Sequence, residues 1–439
     1  MNTVIPRHLA RPKEPGLVTV LRFSQDPLFG AARYFQTYGD TFTTRLFGQR
    51  MIMTRDPDWM SEVLVGKAQH FNKDKTTKGL SRFLGNGLLT SDGPTWLQHR
   101  RAFSPHFRPQ ELARYLPTFA AEARAEVEGW PASGPIDIQR AMARLTMRVT
   151  LKTIFGADPD EFSSFEQIME AAMEYLEGVA GTQTPLPTWI PTRTNRNFLA
   201  ARAELRQRFF AIIESARRVG RSDTLLAQML SERDAQALTD EQVIDESITM
   251  LVGGHDTSSL TLCCTLHLLA RHPLAQSKLR QELLSEGVPT TVKQCQRPGA
   301  LRNILTESLR LYPVTWAVGR EAKEDLKIAG VQVRRGTQVY IHQWQAHRHP
   351  RYFKQPEDFQ PDRWTDEYRK SLPKHLYSPF GAGPRICIGM HFALAEMSIL
   401  LGELAQKFEF TCDSPAPLTF RASLTARPRE PVVLGVRRL

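Results

Sequence analysis

The sequence lacks the paired cysteines that a disulfide framework needs. Its cysteines are five, an odd number, and no spacing between them recurs. They stand at Cys263, Cys264, Cys295, Cys387 and Cys412. Because disulfide scaffolds carry an even set at regular spacing, this pattern argues against a disulfide framework. We therefore expect a cytoplasmic protein, in a reducing compartment.

Long apolar runs are also missing. The opening MNTVIPRHLARPKEPGLVTVLRF interrupts its few apolar residues with Arg, Lys and Pro. It offers neither a secretory h-region nor the run of about 20 apolar residues that a membrane span needs, and no other stretch does better. We predict that residues 1–30 form an extended N-terminal segment without a membrane anchor.

Internal repeats, low-complexity tracts and Gly/Ser linkers are absent, so we predict a single domain over residues 1–439. The chain is 41% hydrophobic, enough for a large core. Its formal charge is 57 minus 46, or +11. The basic residues are scattered and form no nucleic-acid motif, so we expect no nucleic-acid partner. An acidic protein or an anionic membrane surface stays open.

Two periodicities divide the chain. DTFTTRLFGQRMIMTRDP alternates apolar and polar residues about a Gly-Gln-Arg turn, and DLKIAGVQVRRGTQVYIHQW alternates likewise, so both predict sheet hairpins. Most of the remainder is typical of helices. A capping box of Thr239 and Gln242 begins a helix that ends at Pro273, about 30 residues or ~45 Å long. A second helix, with LRNILTESLRLYP, stops before Pro313.

The centre of the long helix carries an anomaly. Gly253 and Gly254 each cost about 1 kcal/mol relative to alanine, and the polar run HDTSS follows them inside an apolar stretch. One explanation is close packing of a neighbouring helix, with Thr and Ser bonding back to carbonyls. The other is that the glycines admit a flat ligand, while Asp256 and Thr257 supply a carboxyl and a hydroxyl for moving protons.

The segment FGAGPRICIG, from Phe380 to Gly389, sets one cysteine among three glycines and an arginine. Three interpretations of Cys387 are weaker. A zinc site with His391 would lack a second pair of ligands, and a nucleophilic cysteine would lack a nearby base. A buried structural cysteine would leave the glycines and Arg385 unexplained. A thiolate near a helix start, close to a large planar cofactor with an anionic group for Arg385, satisfies them all. That cofactor is haem.

These residues carry a resemblance to a known family. FGAGPRICIG fits the F-x-x-G-x-R-x-C-x-G signature of the cytochrome P450 superfamily, the haem-thiolate monooxygenases. GGHDTS resembles its [AG]-G-x-[DE]-T-[TS] segment, Glu307 and Arg310 match E-x-x-R, and Trp96 and Arg100 match W-x-x-x-R. PDRW, residues 361–364, is similar to P-E-R-F, with Asp for Glu and Trp for Phe. The five motifs stand in the family's order.

The resemblance implies a fold and a cofactor. We expect the cytochrome P450 fold, mainly α with a smaller β region, whose long central helix crosses over the haem in a triangular prism-like single domain. The cofactor would be haem b, with Cys387 as the iron ligand. Cofactor-binding residues would be Trp96, Arg100, Arg320, Phe380, Arg385, Cys387 and Gly389, the arginines and the indole serving the propionates.

The same resemblance assigns other roles. Asp256 and Thr257 would be catalytic, moving protons toward bound O2. Glu307, Arg310 and Arg363 would form a buried structural cluster. The substrate pocket would include Phe83, Leu84, Leu88, Val252, Gly253, Thr315, Ala317 and Leu424. This apolar lining predicts a sizeable hydrophobic substrate.

Further expectations concern substrate and partner. RLYPVTWAVGR and LTARPRE are similar to segments of bacterial carotenoid hydroxylases, which favours a carotenoid or terpenoid over a fatty acid. An acidic ferredoxin and its reductase would supply electrons to a basic face at Arg100, Arg101, Arg108 and Arg114. The rival hypotheses are a peroxygenase driven by hydrogen peroxide and a non-catalytic haem- or lipid-binding module.

Overall fold

The computed structural model describes residues 9–14, 18, 26–46, 48–159, 164–182, 188–219, 224–231, 238–414 and 416–439. Most of the extended segment expected over residues 1–30 lies outside these ranges. Within them, no helix combines the length and the apolar character that crossing a membrane requires.

Helices dominate the described chain. In order they are α1 (Gly30–Tyr38), α2 (Pro57–Ser61), α3 (Lys75–Gly79), α4 (Ser81–Leu84), α5 (Gly93–Phe103), α6 (Pro109–Leu112), α7 (Leu116–Glu128), α8 (Ile138–Thr150), α9 (Phe165–Thr182), α10 (Arg193–Val219), α11 (Leu225–Ser231), α12 (Asp240–Arg271), α13 (Pro273–Glu286), α14 (Val292–Cys295), α15 (Ala300–Leu311), α16 (Gln343–Ala346), α17 (Asp366–Ser371) and α18 (Met390–Lys407).

The strands are short. They are β1 (Thr41–Leu46), β2 (Gln49–Thr54), β3 (Phe71–Lys73), β4 (Ser133–Asp137), β5 (Val318–Ala322), β6 (Leu326–Ile328), β7 (Val331–Val333), β8 (Gln338–Ile341), β9 (Phe408–Thr411), β10 (Phe420–Ala422), β11 (Ala426–Pro428) and β12 (Val433–Arg438).

The chain divides into two compact units, each assembled from three stretches of sequence. The first unit is Met1–Thr77, Asn303–Met390 and Ala416–Glu430, and the second is Lys78–Arg302, His391–Pro415 and Pro431–Leu439. The single domain over residues 1–439 stays a prediction.

The first unit holds most of the strands. Its five-stranded sheet has the order β1-β2-β8-β5-β3, in which only β2 and β8 pair in parallel. Both predicted hairpins are present: β1 pairs with β2 and β6 pairs with β7, while β8 leaves the second hairpin to join the larger sheet. One core cluster, around Trp59, Phe353 and Trp364, is buried against this sheet.

The second unit is helical around α12. The Thr239 hydroxyl accepts from the Gln242 N–H, and the Gln242 side chain accepts from the Thr239 N–H at 2.8 Å, so the predicted capping box is confirmed. The helix ends at Arg271, before Pro273, after 32 residues. Its second half, residues 258–270, is buried on every side, and most of its side chains are apolar. A three-stranded antiparallel sheet, β4-β12-β9, completes this unit.

Candidate active site

The segment around Cys387 in the first unit is a tight loop. Gly381 and Gly383 have φ angles of 74° and 70°, in the left-handed region that favours glycine. A Cβ on Gly383 would lie 1.9 Å from the Leu64 carbonyl oxygen. Gly383 is therefore required by the protein's own backbone, a reason that the sequence analysis did not find.

Cys387 lies just before α18 and is exposed. Its backbone N–H donates to the carbonyl of Phe380 at 2.9 Å, and its carbonyl accepts from the Met390 N–H at 3.4 Å. The loop thus satisfies its own backbone groups while leaving the thiol accessible. Arg385 ends a short 3₁₀ turn in the same loop, and Gly389 lies between Cys387 and the helix.

Glu307 and Arg310, on α15, form a fully buried ion pair. The two guanidinium nitrogens Nε and Nη2 of Arg310 donate to the two Glu307 oxygens, both at 2.8 Å. The remaining Arg310 donors reach the carbonyls of His347, Pro356 and Asp358. With every guanidinium proton bonded, this charge is stably buried.

Two residues of the 361–364 segment complete the cluster. Arg363 Nε donates to Glu307 at 3.1 Å, and the indole Nε1 of Trp364 donates to the other Glu307 oxygen at 2.8 Å. Arg363 thus joins the pair. The tryptophan that departs from the family motif gives the carboxylate a donor that phenylalanine lacks, and sequence reasoning missed this role.

Three predicted pocket residues of the first unit lie on two neighbouring segments. Thr315 and Ala317 flank Trp316, whose Nε1 donates to the Ser423 carbonyl at 2.9 Å. Leu424 follows Ser423 and is exposed, in the turn between β10 and β11. Arg320 is buried on β5, where its Nη1 donates to the Gly319 carbonyl at 2.7 Å.

In the second unit, the middle of α12 interrupts a buried helix. Gly253 is exposed, and no atom lies within 4 Å of the place a Cβ would take. The Thr257 hydroxyl donates to the Gly253 carbonyl at 2.7 Å, one turn back, and Asp256 is buried. By contrast, a Cβ on Gly254 would lie 3.5 Å from the hydroxyl oxygen of Thr150 on α8, which is an ordinary van der Waals contact. Gly254 therefore fits the explanation by close packing of a neighbouring helix, whereas the open surface at Gly253 fits the explanation by a flat ligand.

Sequence reasoning missed a buried carboxyl beside this segment. The Ser258 hydroxyl donates to Glu396 Oε2, on α18, at 2.8 Å. Burial raises the pKa of Glu396 to about 8, and the bond from Ser258 opposes that shift. A glutamate within MHFALAEMSILL gives only a weak signal, because one polar residue in an apolar helix is common.

The residues before α5 rest on the first half of α12. The Asp245 carboxylate accepts the Asn86 N–H at 2.6 Å, and a Cβ on Gly85 would overlap Asp245. Glu246 is buried beside His99, with Oε1 and Nδ1 2.6 Å apart, and accepts from the Leu88 backbone. Burial raises the pKa of Glu246, whereas His99 lowers it. Sequence reasoning missed this support.

Other predicted residues of the second unit differ in exposure. Phe83 and Leu84 are buried at 1% exposure each, Val252 is buried, and Leu88 is half-buried. Trp96 and Arg100, on α5, are half-buried as well. Phe83 and Leu84 therefore also belong to the core of this unit.

The chain matches the family model for cytochrome P450 over residues 14–434. It belongs to the cytochrome P450 family. Its enzyme class is therefore a cytochrome P450 monooxygenase with haem b as cofactor.

Individual relatives agree with the P450 assignment. The chain is 30% identical to cyclooctat-9-en-7-ol 5-monooxygenase of Streptomyces melanosporofaciens, over 84% of this chain and 82% of that one. It is 29% identical to cyclooctatin synthase of the same organism, over 89% and 88%. The crystal structure of the cytochrome P450DA heme domain covers 99% of both chains with a TM-score of 0.85 and 28% identity. The expected fold class is confirmed.

Each unit of this P450 contributes residues that fit haem b. In the first, the Cys387 thiol is exposed on a loop whose glycines keep the backbone free of side chains. In the second, Gly253 leaves an open surface on a helix that is otherwise largely buried. A sulfur ligand and a flat face without side chains suit a large planar group.

Proposed function

We propose that this cytochrome P450 hydroxylates a sizeable hydrophobic substrate, with a carotenoid or terpenoid favoured and a fatty acid next. The similarity to a monooxygenase named for cyclooctat-9-en-7-ol carries the proposal. The apolar side chains of Leu88, Val252, Ala317 and Leu424 support it, because an apolar lining selects hydrophobic ligands. Phe83 and Leu84 are two further apolar residues that we propose for this lining.

Haem, when bound, supplies O2 activation, which a thiolate ligand favours by donating electron density to the iron. Cys387 is the residue that we propose as that ligand, on its exposed thiol. Phe380 holds the loop by accepting the Cys387 N–H, and Gly389 continues the backbone beside it without a side chain.

Proton delivery is the role we propose for Asp256 and Thr257. The Thr257 hydroxyl donates to the Gly253 carbonyl, so its oxygen lone pairs are left to accept a proton-donating water. Asp256, on the same turn of α12, is the carboxyl that we propose steers protons toward this water. The carboxylates of the cofactor would be bound by Trp96, Arg100, Arg320 and Arg385.

An acidic ferredoxin is the electron donor that we propose. Arg101 and Arg108 are exposed, and the structure gives neither an ion pair among the residues it describes. Arg114 is less available, because its guanidinium pairs with Glu111 three residues earlier. A cytoplasmic location stays part of this proposal, and the odd number of cysteines, five, supports it.

A spectral screen tests the substrate. Haem-loaded ferric protein is titrated with carotenoids, smaller terpenoids, fatty acids and matched polar compounds, and the absorbance shift that follows displacement of the iron-bound water is recorded. We expect a saturable shift with terpenoids. A shift with fatty acids alone would overturn the substrate class. Turnover with peroxide but not with ferredoxin and O2 would indicate a peroxygenase.

A further inference from the structure

A cavity of about 340 Å³ lies within the second unit, and none of its lining residues was placed above in the active site. Its walls include Arg82, Tyr175, Trp189, Phe198, Leu199 and Arg202. Trp189 is 80% exposed and Leu199 is 41% exposed, so the cavity opens to solvent at that edge. This volume is in the range of small-molecule sites in proteins.

The cavity has an aromatic wall. The rings of Tyr175, on α9, and Phe198, on α10, stack with centroids 3.9 Å apart. Phe198 also contacts Phe83, at 6.1 Å between centroids. Phe83 is one of the predicted substrate-contact residues, so the aromatic wall of the cavity contacts one residue of the predicted pocket.

Two arginines give the cavity a positive charge. The Arg202 Nε is buried without a hydrogen-bond partner, and the structure gives Arg202 no ion pair among the residues it describes. Arg82 has a neutral partner, because its Nη1 donates to the Tyr175 hydroxyl at 3.3 Å. None of the described lining residues is acidic.

The neighbouring arginines of α10 behave differently. Arg206 pairs with Asp245 at 2.7 Å, and Arg208 pairs with Glu204 at 2.7 Å. A buried guanidinium donor is normally bonded, because leaving it unpaired costs free energy. Among the described residues, therefore, none supplies Arg202 with the anion that its neighbours on the helix have.

We propose that this cavity binds the carboxylate of an amphiphilic substrate, whose hydrophobic body lies along Phe198. The two arginines are the binding residues, because a guanidinium fork matches a carboxylate in shape and charge. The proposal rests on the proposed function and narrows it: the substrate is a hydrophobic acid. Either a fatty acid or a terpenoid acid has this chemistry.

Matched ligand pairs test the proposal in the haem-loaded protein. Palmitic acid is compared with hexadecanol, and retinoic acid with retinol, by calorimetry and by the ferric spectral shift. We expect at least one acid to bind about tenfold more tightly than its alcohol, as a charge-assisted bond predicts. The acid that shows the preference identifies the source.

Substitutions locate the effect. The preference should disappear in Arg202→Gln and in Arg82→Gln, and it should persist in Arg208→Gln, which removes the same charge from a paired position of α10. Equal affinity for acid and alcohol in the wild type, no binding of either by calorimetry, or a preference that survives both substitutions would overturn the proposal. The reduced CO spectrum, read in the same samples, reports separately on the haem-thiolate centre.

Discussion

Thr257 is the residue on which coupling of electrons to product depends in this account. Its hydroxyl is held by the Gly253 carbonyl at 2.7 Å, one turn back on α12. We expect Thr257→Ala to keep consuming reductant while product per reductant falls about tenfold, because the hydroxyl that positions the proton-donating water is lost. The measurement is the ratio of product and hydrogen peroxide to reductant consumed.

Thr261 provides the matched control for that experiment. Its hydroxyl donates to the Thr257 carbonyl at 2.8 Å, one turn further along the same helix. Thr261→Ala should leave the ratio unchanged, and Thr257→Ser should retain most of the coupling. Unchanged coupling in Thr257→Ala would remove Thr257 from the mechanism.

Glu396 makes stability depend on pH. Its pKa in the folded protein is raised from 4.5 to about 8 by burial, so the folded state holds a proton that the unfolded state releases. The contribution of Glu396 to the free energy of unfolding should therefore fall as pH rises from 4.5 to about 8, in addition to any change that other groups cause. Urea midpoints at the two ends of this window give the measurement.

Glu396→Gln isolates this contribution, since the amide oxygen still accepts from Ser258 and cannot ionise. The variant should lose less stability than the wild type across the window. Identical pH profiles for the two proteins would show that Glu396 does not carry this proton.

The ends of α12 and α15 are the elements that the sequence predicts best. Thr239, Gln242 and Pro273 define α12 by local chemistry, which depends on few residues close in sequence. β4-β12-β9 was not predicted, because it joins residues near 135, 410 and 435. Burial of His99 against Glu246, 147 positions away, is equally invisible to local patterns.

The PDRW segment shows how an element departs from the family motif without losing its function. Trp364 donates to the buried Glu307 carboxylate, which also accepts from Arg310 and Arg363. We expect Trp364→Phe to reduce the free energy of unfolding by about 1–3 kcal/mol, since a hydrogen bond to a buried charge is lost. Denaturant midpoints measure the change.

Trp189→Phe serves as the control, because Trp189 is 80% exposed and should change stability little. Glu307→Ala should cost more, about 3–5 kcal/mol, because it leaves a buried arginine charge unpaired. A Trp364→Phe protein as stable as the wild type would contradict the role given to the indole.

At the scale of the whole molecule, the net charge of +11 bears on the electron donor. If an acidic ferredoxin docks at Arg101 and Arg108, the second-order rate of reduction should fall several-fold as ionic strength rises from about 0.01 to about 0.1 M. Replacing both by Gln should reduce the rate and its salt dependence, whereas Arg218→Gln should not. Stopped-flow absorbance measures these rates, and a salt-independent rate would contradict the proposed face.

The identities of the site residues could be predicted from the sequence, but the contacts that surround them could not. Cys387, Asp256 and Thr257 stand in short motifs, so their identities were available locally. Gly383 is required because a Cβ there would collide with the Leu64 carbonyl, and this contact joins parts of the first unit that are distant in sequence. The cavity arginines lie outside every motif, and only the structure brings Arg82 and Arg202 to one cavity.

The central claim is that the Cys387 thiolate binds the haem iron. The most direct test is the absorbance spectrum of the reduced, haem-loaded protein under CO. We predict the strongly red-shifted Soret band of a thiolate-bound haem in the wild type and in Cys412→Ser, and its loss in Cys387→Ser. A wild type without that band, or a Cys387→Ser protein that keeps it, would contradict the account.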